Sequence, residues 1–200
     1  MEDRPDKITR VFTVPRPSGY NTEYAMTTYS YIFSETKTDN KNYELLRAYM
    51  REVFLEGTPE KGTKKSVSKE SNIVTSKKRF MISEDIHPEI IDLAKKSKYE
   101  GKGKDQHLTV QEFFLRNDPY TIGYEIPVWD DDYHTHIDLV RVHPSGLVEV
   151  LDFKPAANLE TTAAAQIFKC TLLLSERTGI SMQHIAAWYF DNRDAFLVTL

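Results

Sequence analysis

Two short stretches carry the side chains with the most chemical potential. The run His136-Ile137-Asp138-Leu139-Val140 sets an acid in an apolar segment, and Val150-Leu151-Asp152-Phe153-Lys154-Pro155 sets an acid and an amine two residues apart, with Gly146 marking a turn between the runs. Strand side chains alternate faces, so Asp152 and Lys154 point one way while Leu151 and Phe153 point oppositely into a core. A hairpin joining the strands brings Asp138 beside Asp152. Two carboxylates and one ammonium at one spot make a candidate Mg²⁺ or Mn²⁺ site, because Mg²⁺ takes oxygen ligands, keeps several waters and needs few protein anchors. Such a metal polarises a phosphoryl oxygen and lowers the pKa of an attacking water. Lys154 could orient or activate that water, or stabilise charge in the transition state.

The elements that must position these residues follow from periodicity and punctuation. Arg10–Val14 and Met26–Phe33 read as strands around a turn at Pro15-Arg16-Pro17-Ser18-Gly19. Asp39-Asn40 offers caps for a helix over Lys41–Glu56, with Leu45, Leu46, Tyr49, Val53 and Phe54 on one stripe. Residues 57–78 are rich in Gly, Lys and Ser and read as a flexible basic loop. Ser83-Glu84-Asp85 signals a helix start ahead of Ile86, Ile90, Ile91 and Ala94. A further helix is expected over Gln106–Arg116, stopped by Asn117-Asp118-Pro119. Strands follow at Thr121–Val128, Thr135–Val142 and Leu147–Phe153, then a helix over Leu159–Thr178 packing through Leu159, Ala163, Ile167, Cys170 and Leu174. The last strands are Ile185–Phe190 and Ala195–Leu200. This order predicts an α/β (α+β) fold with a mixed sheet flanked by helices. An accessory region is expected over 1–80 and the core over 81–200.

Composition narrows the class. With 200 residues, 28% charged and 40% apolar, the chain matches a globular protein, and its net charge of −4 announces no nucleic-acid partner by itself. A single cysteine, Cys170, excludes an internal disulfide framework, a zinc ribbon and a four-cysteine iron–sulfur cluster. No apolar run is long enough for a membrane helix, and Met1-Glu2-Asp3-Arg4-Pro5 lacks the apolar core of a signal peptide, so the expected location is intracellular, in the cytoplasm. Charge is uneven: Lys61, Lys64, Lys65, Lys69, Lys77, Lys78 and Arg79 cluster, then Lys95, Lys96, Lys98, Lys102 and Lys104, whereas Asp130-Asp131-Asp132 is acidic. Basic flanks beside an acidic centre suit an anionic polymer held by lysines while carboxylates hold a metal. Solvated lysine loops are the plainer account.

The order helix, three strands, helix, strand, with Thr135-His136-Ile137-Asp138, a gap and Asp152-Phe153-Lys154, resembles the PD-(D/E)XK nuclease superfamily. More narrowly it is similar to the RecB-type branch that includes Cas4-like proteins, without their iron–sulfur cysteines. The resemblance spans about half the chain, from His107 to Leu200, and implies a restriction-endonuclease-like core. It implies Asp138 and Asp152 as metal ligands, Lys154 as a catalytic group, and Gln166 of Ala163-Ala164-Ala165-Gln166 as supporting the site. His107, or alternatively Glu112, is implied as a ligand from the helix before the strands. These lie five residues apart, about 140° around a helix at roughly 3.6 residues per turn, so only one faces the cleft. Glu125 in Glu125-Ile126-Pro127 is a further candidate, either as ligand or supporting group. Lys102, Lys104 and Lys169 are candidates for nucleic-acid contact. Where the family has an aromatic four residues after the glutamine, this chain has Cys170.

His134, His136 and His143 near the acidic run invite a zinc reading, but no compact Cys/His set completes it. Tyr20, Tyr24, Tyr29 and Tyr31 suit base stacking or, more simply, packing. The reading that unites the residues is a Mg²⁺- or Mn²⁺-dependent deoxyribonuclease acting on single- or double-stranded DNA. Its rivals are a nuclease-fold module that binds nucleic acid without cleavage, and an unrelated metal-dependent hydrolase.

Overall fold

The structure, a computed structural model, describes residues 7–17, 24–34, 40–56, 65–66, 81–83, 87–97 and 104–199. Helix α1 (Lys41–Glu56) is started by Asn40, whose side-chain oxygen accepts the Tyr43 N–H at 2.8 Å. Helix α2 (Pro88–Lys96) and helix α3 (Lys104–Asn117) precede three consecutive antiparallel strands: β5 (Thr121–Trp129), β6 (Tyr133–Val142) and β7 (Val148–Phe153). Helix α4 (Ala163–Thr178) then carries the chain to β8 (Ile185–Phe190), parallel to β7, and β9 (Ala195–Thr199) returns antiparallel. Before them come a hairpin of β1 (Lys7–Pro17) and β2 (Tyr24–Ser34), and two short strands, β3 (Lys65–Ser66) and β4 (Met81–Ser83). The sheet order is β1-β2-β5-β6-β7-β8-β9-β4, with β3 beside β6. The α/β class and mixed sheet expected from the sequence are therefore present.

Each face of the sheet has its own core. Val140, Val142, Val148 and Val150 meet α4 through Ile167, Phe168, Leu173 and Leu174, joined by Tyr43, Leu46, Tyr49, Met50 and Val53 of α1. Leu139, Leu151, Phe153 and Phe190 meet Ile90 and Ala94 of α2 and Val110 and Phe114 of α3. The strands alternate as their sequences require, odd positions of β7 to one layer and even positions to the other. Residue 80 does not divide two cores: α1 belongs to the main one, the Tyr49 hydroxyl donates to the Pro127 carbonyl at 2.5 Å, and β2 pairs with β5.

Several boundaries differ from expectation, three of them for instructive reasons. Pro15–Pro17 continue β1 rather than opening a turn. Helix α2 does not begin at Ser83-Glu84-Asp85: Ser83 ends β4, residues 84–86 lie outside the described residues, and the helix starts where Pro88 takes the first position behind His87. A proline fits there because its missing N–H would have no helical partner. Helix α4 starts at Ala163, not Leu159. Ala157–Leu159 form a short 3₁₀ turn whose Ala157 N–H donates to the Asp191 carboxylate at 2.9 Å, leaving Leu159 77% exposed instead of in the core. The basic loop over 57–78, apart from the two residues of β3, lies outside the described residues.

The face toward α2 and α3 holds a charge cluster around Arg141, which is 0% exposed. Its Nε donates to Asp118 at 2.7 Å, one terminal nitrogen to Glu149 at 2.5 Å and the other to Glu89 at 3.2 Å. Glu149 also lies 2.8 Å from the Nε2 atoms of both His87 and His143, and Asp118 accepts the Thr121 hydroxyl at 2.5 Å. Burial alone would raise the Glu149 pKa, but the His87 hydrogen bond and the Arg141 charge bring it down to about 2. A carboxylate with a depressed folded pKa stabilises the fold above its unfolded value and loses that contribution as pH falls. Arg141→Met, which strands two buried carboxylates, should cost about 3–5 kcal/mol in urea unfolding at neutral pH. The cluster's share of wild-type stability should fade as pH drops from about 4.5 toward 2. A variant as stable as wild type would show that the cluster contributes nothing.

Candidate functional site

Strand register builds the site. Leu139↔Leu151 and Val140↔Val150 are partners in the β6–β7 hairpin, and the same register sets Asp138 across from Asp152. The turn that fixes it closes through His143 N–H to Leu147 carbonyl (2.9 Å) and Gly146 N–H to His143 carbonyl (2.8 Å), with Gly146 at φ +89°. From β1–β2 the chain returns to this turn through α1, where Asn42 Nδ2 donates to the Gly146 carbonyl at 2.6 Å. A cavity of about 10 Å³, room for one water-sized occupant, is lined by Asp138, Asp152, His136, Gln166, Ile167 and Cys170 among others.

Asp138 is held firmly. Its Oδ2 accepts the Phe153 backbone N–H at 3.0 Å and lies 3.1 Å from His107 Nδ1, while the His107 ring meets Phe153 edge to face. Burial favours a neutral Asp138, yet the His107 hydrogen bond and charge, with Lys154, keep its pKa below the ordinary value. In return Asp138 raises the pKa of His107, chiefly through that hydrogen bond and against the effect of burial, so the carboxylate favours the protonated ring.

Asp152 is the opposite case. It is 6% exposed, and burial, then the Asp138 charge, push its carboxyl up to about 7 against the pull of Lys154. Lys154 Nζ is 2.9 Å from Asp152 Oδ2, but that oxygen accepts no well-directed hydrogen bond, so the contact is an ion pair and not an aligned donor. Lys154 also donates to Gln166 Oε1 at 3.4 Å. Burial works against the ammonium, but Asp152 and Asp138 raise its pKa and it stays charged. Two facing carboxyls with a poorly satisfied buried oxygen are a donor set that a small hard cation would relieve, because its charge removes the repulsion between them. Among the described residues no three His, Cys, Asp or Glu side chains are grouped to enclose a metal, so Asp138 and Asp152 would hold one with water completing its shell.

The other candidates sort by position. Of the α3 pair, His107 reaches Asp138, whereas Glu112 lies on the outer side of the helix with Arg116 at 3.1 Å. Glu125 accepts a hydrogen bond from Gln111 Nε2 at 2.8 Å. Lys169 pairs with Asp130 at 2.7 Å and sits over the Tyr133 ring at 4.6 Å. Lys102 lies outside the described residues, as does the side chain of Lys104. His134 packs near Trp129 and His136, while His143 belongs to the Arg141 cluster on the other face.

One site residue escaped the sequence reading. Gln111 sits one turn beyond His107, and that i,i+4 spacing was the available signal. Cys170, where an aromatic was expected, lines the cavity, and burial with the Asp152 charge pushes its thiol up to about 12, so it is a neutral, inert wall. No helix among the described residues is long and apolar enough to cross a membrane. No protein-family model matches this chain, and no curated protein and no solved structure matches it either.

The Asp152 shift has a stability consequence of defined sign. A folded-state carboxyl that binds its proton more tightly than the unfolded chain loses stability as pH rises from its ordinary 3.8 to about 7. In EDTA, wild-type Tm should therefore decline across that window, and Asp152→Asn should remove the decline and be the more stable protein above it. Parallel Tm–pH curves for the two proteins would refute the assignment.

Proposed function

We propose that this chain is a metal-dependent DNA nuclease of intracellular location, with β5–β7, α4 and β8 forming a restriction-endonuclease-like core. The observation that carries the reading is the convergence of Asp138 and Asp152 across one strand pair, with Lys154 2.9 Å from the second carboxylate. Gln166 beneath Lys154 and His107 behind Asp138 support it, since each engages a residue that the chemistry needs.

A bound Mg²⁺ or Mn²⁺, held by Asp138 and Asp152, would supply charge to a phosphoryl oxygen and a more acidic water. The chain's own groups do the rest. Lys154 is locked as an ammonium, so it acts as an electrostatic donor to a scissile phosphate oxygen and not as a general base. Gln166 fixes the direction of its Nζ. The Phe153 N–H and His107 saturate one oxygen of Asp138 and aim the other, which keeps this carboxylate from rotating away.

Labelled single- and double-stranded DNA incubated with Mg²⁺, Mn²⁺ or EDTA tests this reading. Wild type should cut only with metal. Asp138→Ala and Lys154→Ala, checked for folding, should each lose about 10²–10⁴ in rate. Cutting in EDTA, or full activity in either folded variant, would sink the mechanism. Binding without cutting under every metal would identify a nucleic-acid-binding module instead.

A further inference from the structure

We propose that Gln111 and Glu125 are a positioning pair that holds α3 in register with the sheet and so keeps His107 on Asp138. Its functional weight rests on the nuclease reading, whereas the clamp itself stands on geometry.

Glu125 is the non-glycine residue with positive φ among those described, at +54°. It lies between the partners Tyr124↔Leu139 and Ile126↔Ile137, which sets it across from Asp138 in the middle of the sheet. Tyr124 packs in the α2–α3 layer and Ile126 in the opposite one. Residues two apart on a strand normally share a face, so the alternation breaks at Glu125, where the backbone is left-handed. Its Oε1 accepts from Gln111 Nε2 of α3 at 2.8 Å. A glutamate held in a conformation that side chains rarely adopt is over-determined by its surroundings.

Gln111 is 1% exposed, so its amide is committed to this contact and not to solvent. It follows His107 by four residues, about one helical turn, on the same side of α3. The helix therefore touches the sheet through two directed polar contacts one turn apart, His107 to Asp138 and Gln111 to Glu125. Val110 and Phe114 supply the apolar contact between and beyond them. Apolar ridges alone tolerate small rotations of a helix, whereas two directed contacts fix rotation and height together. Because Glu125 and Asp138 are cross-strand neighbours, both anchors lie at one level of the sheet.

The pair makes a different demand on Glu125 from that of a metal ligand. A positioning partner needs only the Oε1 acceptor, while a ligand needs the negative charge. Glu125→Gln should therefore keep kcat within about threefold of wild type. Glu125→Gly, which suits the backbone but removes the acceptor, should lower kcat about 10–100-fold with KM for DNA unchanged. Gln111→Glu sets two carboxylates against each other and should be similarly impaired, and adding Glu125→Gln should restore activity by reversing donor and acceptor.

A second readout needs no cleavage. In metal-free protein the His107 and Phe153 rings, with centroids 5.3 Å apart, should show an NMR cross-relaxation contact in wild type and Glu125→Gln. That contact should disappear in Glu125→Gly at temperatures where the protein remains folded. Persistence of the contact in folded Glu125→Gly would overturn the clamp. Equal loss of activity in Glu125→Gln and Glu125→Gly would overturn it in favour of a charge role. If wild type cuts no DNA, the nuclease reading fails and the ring contact alone decides the pair.

Discussion

The arrangement of this molecule turns on two acids set across from each other on adjacent strands. A sheet position that faces a packed helix normally holds an apolar side chain, and the neighbours Val150, Val140 and Val142 follow that rule. Asp138 and Asp152 break it together. Like charges in a desolvated place repel, so the fold answers each differently: the Asp138 pKa is held down by the His107 ring, Lys154 and a backbone N–H, and Asp152 is left close to protonation beside Lys154. An electrostatic conflict retained in the middle of an otherwise well-packed sheet is the kind of local inconsistency that marks function.

The two faces of the sheet make the contrast clear. Behind β6 and β7, Arg141 lies between Asp118 and Glu149, and every carboxylate oxygen of those two acids has a donor. That cluster is closed: it needs nothing from outside, and adding a cation would only compete with Arg141. In front, Asp152 Oδ2 lacks a well-directed protein donor and a small cavity lies beside it. Two buried charge groups only a few residues apart in sequence thus have different status, one completed by the protein and one left to be completed.

Much of this was legible in the amino-acid order because strand geometry is so regular. Period-two alternation and a short turn at Gly146 are enough to bring Asp138 to Asp152, and three alanines ahead of Gln166 announce a helix able to approach a sheet closely. Asn40 as a cap for α1 was equally readable. What escaped reading was non-local. Arg141 looks like a surface residue until Asp118, Glu149 and Glu89 arrive from three other segments. The apolar stripe of α1 does not say which core it joins. Leu159 continues a helical pattern, yet a hydrogen bond to Asp191, more than 30 positions away, holds its turn out of the helix. The choice between His107 and Glu112 needed the rotation of α3, which depends on packing and not on spacing.

The turn at residues 143–147 does more than reverse the chain. Gly146 adopts φ +89°, its carbonyl accepts from Asn42, and a methyl group added there would meet that amide at 3.6 Å. The turn is thus braced by a helix from the far end of the sequence, and it counts residues for the hairpin. Lengthening it by one would slide β7 past β6 and exchange the faces of every side chain along the strand. Asp152 would then face the Phe114 layer and Leu151 would face Gln166. The chemistry of the pair is therefore stored as a loop length as much as in the identity of its acids.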